Sequence, residues 1–141
     1  MTNECTTHRW LVDLPTEECW HLAASRPVGR LAWSGPHGPS VIPVNFTVDG
    51  RNVLIRTKAY SEAARETDDT MVAFEVDSFD EEARDGWSVL MRGRAHFEYL
   101  SPTESRDPDV WIDGPRSLRM RVEVTEVTGR RILGSDSEES E

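Results

Sequence analysis

Residues 41–57 read VIPVNFTVDGRNVLIRT. Ile42, Val44, Phe46 and Val48 alternate with Val41, Pro43, Asn45 and Thr47, the period-two pattern of a strand with one face toward a core. Asp49-Gly50 then gives the strongest short hairpin signal, and Asn52 to Thr57 returns as a second strand. Pro43 breaks the regularity: proline has no N–H to donate, so it belongs where pairing is interrupted. An unpaired stretch beside Asn45 can hydrogen-bond the edge of a heterocycle. An ordinary edge strand fits the same residues.

The pattern extends in both directions. Pro15 to about Ser25 reads as a short helix, with Glu17 and Glu18 in its first turn, Trp20, Leu22 and Ala23 on its apolar side, and Pro27 as its stop. Residues 28–34 form a strand, and Gly35-Pro36-His37-Gly38 a turn leading into the strand at Ser40–Val48. Beyond Thr57, residues 60–66 have helical composition and 70–76 return to strand. A loop is expected over 77–85, followed by a long strand over 87–99 with a bulge at Gly93. Residues 101–115 read as an irregular connection. The last strand runs from Leu118 to about Ile132, with Leu118, Met120, Val122 and Val124 set against Arg119, Arg121, Glu123 and Thr125. Six strands, two short helices and no internal repeat predict a mainly β (α+β) chain closed into an antiparallel barrel, which removes exposed edges.

Composition limits the function. The 141 residues suffice for one domain with its own core. We expect an N-terminal arm over 1–13, the folded domain over 14–133 and an acidic, solvated tail over 134–141. A net charge of −10 argues against nucleic acid as partner. No apolar run reaches the roughly 18–20 residues of a membrane span, and Met1 to Trp10 lacks a signal-peptide core, so a cytoplasmic location is expected. Cys5 and Cys19 are too few for a disulfide framework or thiolate metal site, and no metal is expected.

Arg56-Thr57-Lys58, with Ser61 opening the next helix, gathers groups that suit a phosphate: a guanidinium, hydroxyls and a helix start. Taken alone, a solvated turn is the more ordinary account of them. His96 shares a strand face with Arg92 and Arg94 and reads as a surface histidine.

Taken in order, LPTEECWHLAA (14–24), PVGRLAWS (27–34), VIPVNFTVDGRNVLIRT, VAFEVD (72–77), GWSVLMRGRA (86–95) and RVEVTEVTGRRI (121–132) resemble one family. It is that of the pyridoxamine 5′-phosphate oxidase-like split β-barrels, in the compact branch that includes nitroimidazole-resistance-type proteins. The resemblance implies a homodimer with two FMN molecules at the subunit interface, and an FMN-dependent oxidoreductase acting on a small molecule other than pyridoxamine phosphate. Pro43, Val44 and Asn45 match the strand along the isoalloxazine ring; Arg56 and Thr57 match the pair holding the phosphate. Ser61 matches the serine at the following helix, and Trp87 and Ser88 the start of the long strand that completes the pocket. Trp33, Trp87 and Trp111 are the aromatic candidates for burial at or near the interface.

One position departs from the family pattern. Relatives commonly place a lysine after Ser61, where this chain has Glu62, an acid beside a phosphate. Relatives on the same barrel also hold haem or a deazaflavin coenzyme. A non-catalytic binding protein and a cofactor-free dimeric scaffold are therefore the alternatives to the flavoenzyme. No side chain stands out as a required general acid or base, since a flavin would carry the electron chemistry itself.

Overall fold

A computed structural model describes residues 10–57, 62–100 and 117–134. Within them the order is β1 (Trp10–Asp13), α1 (Thr16–Ala24), β2 (Val28–Gly35), β3 (Gly38–Asp49), β4 (Asn52–Thr57), α2 (Glu62–Thr67), β5 (Thr70–Asp80), β6 (Asp85–Leu100) and β7 (Ser117–Leu133). All ladders are antiparallel. The sheet runs β1-β7-β4-β3-β2-β5-β6, and β6 pairs back onto β7. Strands β2 to β7 therefore close into the expected six-stranded barrel. Strand β1, within the expected N-terminal arm, adds outside the ring by pairing Trp10–Asp13 with Arg130–Leu133.

The interior follows the alternation read from the sequence. Leu31, Val53, Ile55, Val72, Phe74, Val76, Val89, Met91, Met120 and Val122 are buried inside the ring. Phe46 meets Phe74 edge-on, with ring centroids 4.8 Å apart. Beneath β2, a Cβ on Gly29 would fall 2.4 Å from the Phe74 ring, so only glycine leaves room for it.

Three local features differ from the sequence reading. Strands β5 and β6 stay paired through Asp80↔Asp85, so the loop expected over 77–85 shrinks to a four-residue turn. The acidic residues there do not break the ladder, because Asp77 and its outward neighbours point away from the core. The bulge is at Arg92/Gly93 as expected, but the unpaired residue is Thr125 on β7, since Arg92 faces Glu126 and Gly93 faces Val124. In α1 the fully buried pair is Cys19 and Ala23, at i and i+4, while Trp20 and Leu22 are half-buried. The helix docks closely because Gly129 has no side chain; a Cβ there would meet the Cys19 Sγ at 2.5 Å.

Helix α2 is tied to the barrel through Trp33. The indole of buried Trp33 donates to Glu66 Oε1 at 2.8 Å. Both Trp33 and Trp87 are thus buried by their own chain, at 5% and 8% exposure; Trp111 lies outside the described residues.

Candidate functional site

Among the described residues, β3 and β4 part partway along the barrel, as β2 and β5 do beyond their three paired positions. Strands β3 and β4 pair from Asp49↔Asn52 to Phe46↔Ile55 and no further. The next positions, Asn45 and Arg56, would face each other if the ladder continued. Instead β3 stays with β2 as far as Gly38, and β4 continues along β7 to Thr57↔Leu118. The result is a fork whose two prongs carry Pro43, Val44 and Asn45 on one side and Arg56 and Thr57 on the other.

The polarity of the open edge follows from hairpin geometry. A two-residue turn makes Gly35↔Gly38 a hydrogen-bonded pair, and such pairs then alternate along an antiparallel ladder. Ser40, Ile42 and Val44 therefore spend their backbone groups on β2, and Phe46 N–H continues the series by donating to Pro27 O at 3.3 Å. Pro39, Val41, Pro43 and Asn45 turn theirs to the fork. Two of these four are prolines, so the edge presents four carbonyls and only two N–H groups, from Val41 and Asn45. An edge so depleted of donors pairs poorly with another strand. It remains able to accept from, and donate to, the rim of a planar polar ligand.

Side chains around the fork divide by face. Pro43 and Asn45 are exposed on the outer face, while Ile42 and Val44 are half-buried on the inner one. Full burial stops at Phe46, where β4 leaves and takes its covering side chains with it. The Asn45 amide nitrogen donates to Pro27 O at 3.2 Å, which fixes the side chain beside the opening.

Arg30 lies directly across β2 from Pro43. Its Nη1 holds both Glu75 Oε1 and Asp77 Oδ2 at 3.0 Å. Burial first, and then the hydrogen bond and charge of Asp77, push the Glu75 carboxyl up to about 7. Sequence reading missed this trio; VAFEVD shows both acids on one face of β5 but not which strand supplies their arginine.

On the other prong Arg56 points outward, opposite Arg119. Arg119 Nη2 donates to Glu98 Oε1 at 2.8 Å, and the other carboxylate oxygen of Glu98 takes Arg121. The two arginines lower the Glu98 pKa against the opposing effect of its burial. Further along the same face His96 Nε2 pairs with Glu123 Oε1 at 3.1 Å, a surface contact as expected.

The structure brings together Pro43, Val44, Asn45, Arg56 and Thr57. Ser61 and Lys58 lie outside the described residues. Glu62 is exposed at the first position of α2. With six residues, α2 is too short for its dipole to contribute much. Trp87 and Ser88 are elsewhere: β6 stands three strands from β3 in either direction around the ring. Trp87 faces inward and is buried, and Ser88 faces outward between Asp77 and Arg130. Trp87 and Ser88 thus lie on the wall of the closed ring opposite β3.

A closed antiparallel six-stranded barrel whose β3–β4 ladder ends at Phe46↔Ile55 defines a split-barrel protein. The chain belongs to the pyridoxamine 5′-phosphate oxidase family, whose model matches residues 15–131. An uncharacterized protein of Mycobacterium tuberculosis is 33% identical over 141 residues, covering 89% of this chain and 88% of that protein. Among solved structures, the FAD-binding protein of Mycobacterium smegmatis is 30% identical, with 86% of this chain and 98% of that chain covered and a TM-score of 0.69. A candidate 5-nitroimidazole antibiotic resistance protein of Bacteroides thetaiotaomicron has the same fold at 11% identity, with 89% of each chain covered and a TM-score of 0.69.

Proposed function

We propose that this protein is a flavin-dependent oxidoreductase acting on a small molecule, and that it works as a homodimer. The observation that carries the reading is the fork itself. The prong predicted to lie along an isoalloxazine ring and the prong predicted to hold a phosphate separate at Asn45 and Arg56. The carbonyls of Pro39, Val41, Pro43 and Asn45, and the N–H groups of Val41 and Asn45, would fix the ring by its polar edge. Arg56, Thr57 and Ser61 would hold the phosphate of FMN, or of the FMN half of a larger flavin. The similar protein from Mycobacterium smegmatis, described as FAD-binding, supports a flavin as the ligand.

When bound, the flavin supplies the electron chemistry. The chain binds it, orients it and sets the polarity around it. Arg30, held by two carboxylates opposite Pro43, adds a fixed charge beside the ring strand. The position of Trp87–Ser88 on the wall opposite the fork supports the dimer. If those residues complete the pocket, as the family resemblance implies, a second copy must supply them, which makes the contact isologous.

Titration of the purified protein with FMN, followed by its visible spectrum and by light scattering, tests both parts. Saturable binding that perturbs the flavin bands, in a species of twice the chain mass, is expected. A stable monomer at micromolar concentration would remove the shared site, and a failure to take up any flavin would remove the cofactor.

A further inference from the structure

The outer surface of the barrel has two unlike halves. Over β6 and β7 it carries ion pairs such as Arg92–Glu126 and His96–Glu123. Over β3, β2 and β5 it carries Val41, Ala32 and Ala73 in one row, with Val28, Met71 and Phe79 on the same face. Val28, Val41, Met71 and Phe79 are four of the seven large hydrophobic side chains left exposed among the described residues. Exposed apolar groups gathered on one face mark an interaction surface. Within the patch, Arg30 stands directly across from Glu75 and also holds Asp77. A purely apolar partner would strand these charges, whereas a copy of the same face brings an arginine and two carboxylates of its own.

Resting on the homodimer proposed above, we infer that a second copy of this chain docks on the β3-β2-β5 face. The two-fold axis runs along the strands between β2 and β5 and sets Arg30 against the partner's Glu75. The direction of the axis follows from the shared pocket. An axis across the strands would lay β3 over the partner's β3 and keep the partner's Ser88 away from the fork. An axis along the strands exchanges β2 with β5 and β3 with β6, and leaves every position at its own level. Asn45 lies beside Val28, and Ser88 beside Asp77. Val28 and Asp77 are each two residues from the Arg30↔Glu75 pair, on the same side of it. The exchange therefore brings the partner's Ser88 level with Asn45. Since β3 and β6 occupy opposite walls of the ring, they do not touch across this contact. They flank a groove on each side of it, one wall carrying the fork and the other the partner's Ser88. The charged group has one more carboxylate than guanidinium. Glu75, which burial pushes up to about 7, sheds that excess by holding a proton as the faces meet.

Light scattering of the full-length protein over a concentration series tests the surface, with thermal melts as a check on folding. The samples are wild type, Arg30→Glu, Glu75→Arg, an equal mixture of these two variants, and Met71→Glu. Across the axis Arg30→Glu sets acid against acid and Glu75→Arg sets base against base. Their mixture restores two opposite pairs between chains, while the pair within each chain stays broken. Each charge variant alone should dissociate at least about tenfold more readily than wild type, because every substitution acts twice about a two-fold axis. The mixture should recover most of the dimer. Met71→Glu leaves the ion group untouched and should also weaken the dimer, by placing a charge in the apolar part of the patch. Folded variants that stay as dimeric as wild type overturn the proposed surface and leave a homodimer through another face. A mixture no more dimeric than its components overturns the pairing of Arg30 with the partner's Glu75, and the proposed axis with it. A monomeric wild type overturns both this inference and the homodimer on which it rests.

Discussion

The closed wall of the barrel and its fork are made by the same two strands, one residue apart. At Phe46↔Ile55 the side chains are buried and the two strands are paired; at Asn45 and Arg56 the β3–β4 ladder has ended and the side chains are exposed. On the proposed function, stability is concentrated on the first side of that step and ligand chemistry on the second. The two therefore separate experimentally: changes in the wall cost folding, and changes at the fork cost binding.

The largest effect belongs to the wall. Phe74 is fully buried, stacks edge-on against Phe46 and fills the space left by Gly29. Phe74→Ala should destabilise the fold by about 3–5 kcal/mol, measured by denaturant unfolding. A loss under about 1 kcal/mol would mean that this part of the core collapses around the gap, and the contrast with the fork would blur.

Arg56→Ala tests the other side. It should weaken flavin binding by about ten- to a hundredfold, the value of a charge-assisted bond to phosphate, while the unfolding midpoint stays close to wild type. Unchanged flavin content in the purified variant would show that the phosphate sits elsewhere.

Glu62→Lys sharpens the comparison by improving the fork rather than damaging it. Removing an acid and adding a cation near the phosphate should tighten FMN on the order of tenfold, and FAD by less, because the adjoining phosphate carries less charge. Titrations at two salt concentrations should show the gain shrinking as ionic strength rises. A tighter complex at every salt concentration would point to a direct contact instead.

The smallest effect lies between the two regions, at Glu75. Its folded-state pKa of about 7 stands above its ordinary value of 4.5, so folding favours the protonated form. The stability this contributes is complete below about pH 4.5 and is lost as pH rises toward 7. Glu75→Gln should remove that dependence, melting a few degrees above wild type at pH 8 and level with it at pH 4. Identical melting profiles for the two proteins across that range would mean that Glu75 binds its proton alike in the folded and unfolded chains.

Much of the fork was legible before the fold was known. Pro43 announced an interrupted edge because proline cannot donate, and the edge proved to be interrupted there. Asp49-Gly50 set the hairpin, and the hairpin set which residues of β3 turn toward β4. The placing of Arg56 just past Ile55 follows from the same count. The Arg119–Glu98–Arg121 group could not be read this way. Arg119 and Arg121 showed only as the polar half of an alternating strand, and nothing local says that their neighbours are Arg56 on one side and Glu98 on the other.

By itself, then, the sequence determined the strands, their inward faces, the hairpins and the place where pairing fails, because each depends on alternation, turn chemistry or a missing N–H within a few residues. Only the tertiary structure decided what stands beside what across the ring: Arg30 with Glu75 and Asp77, Arg56 with Arg119, and Trp87 and Ser88 on the wall opposite the fork. Those neighbours are set by ladders between strands distant in sequence, and register across such ladders is fixed by how the whole barrel closes and packs.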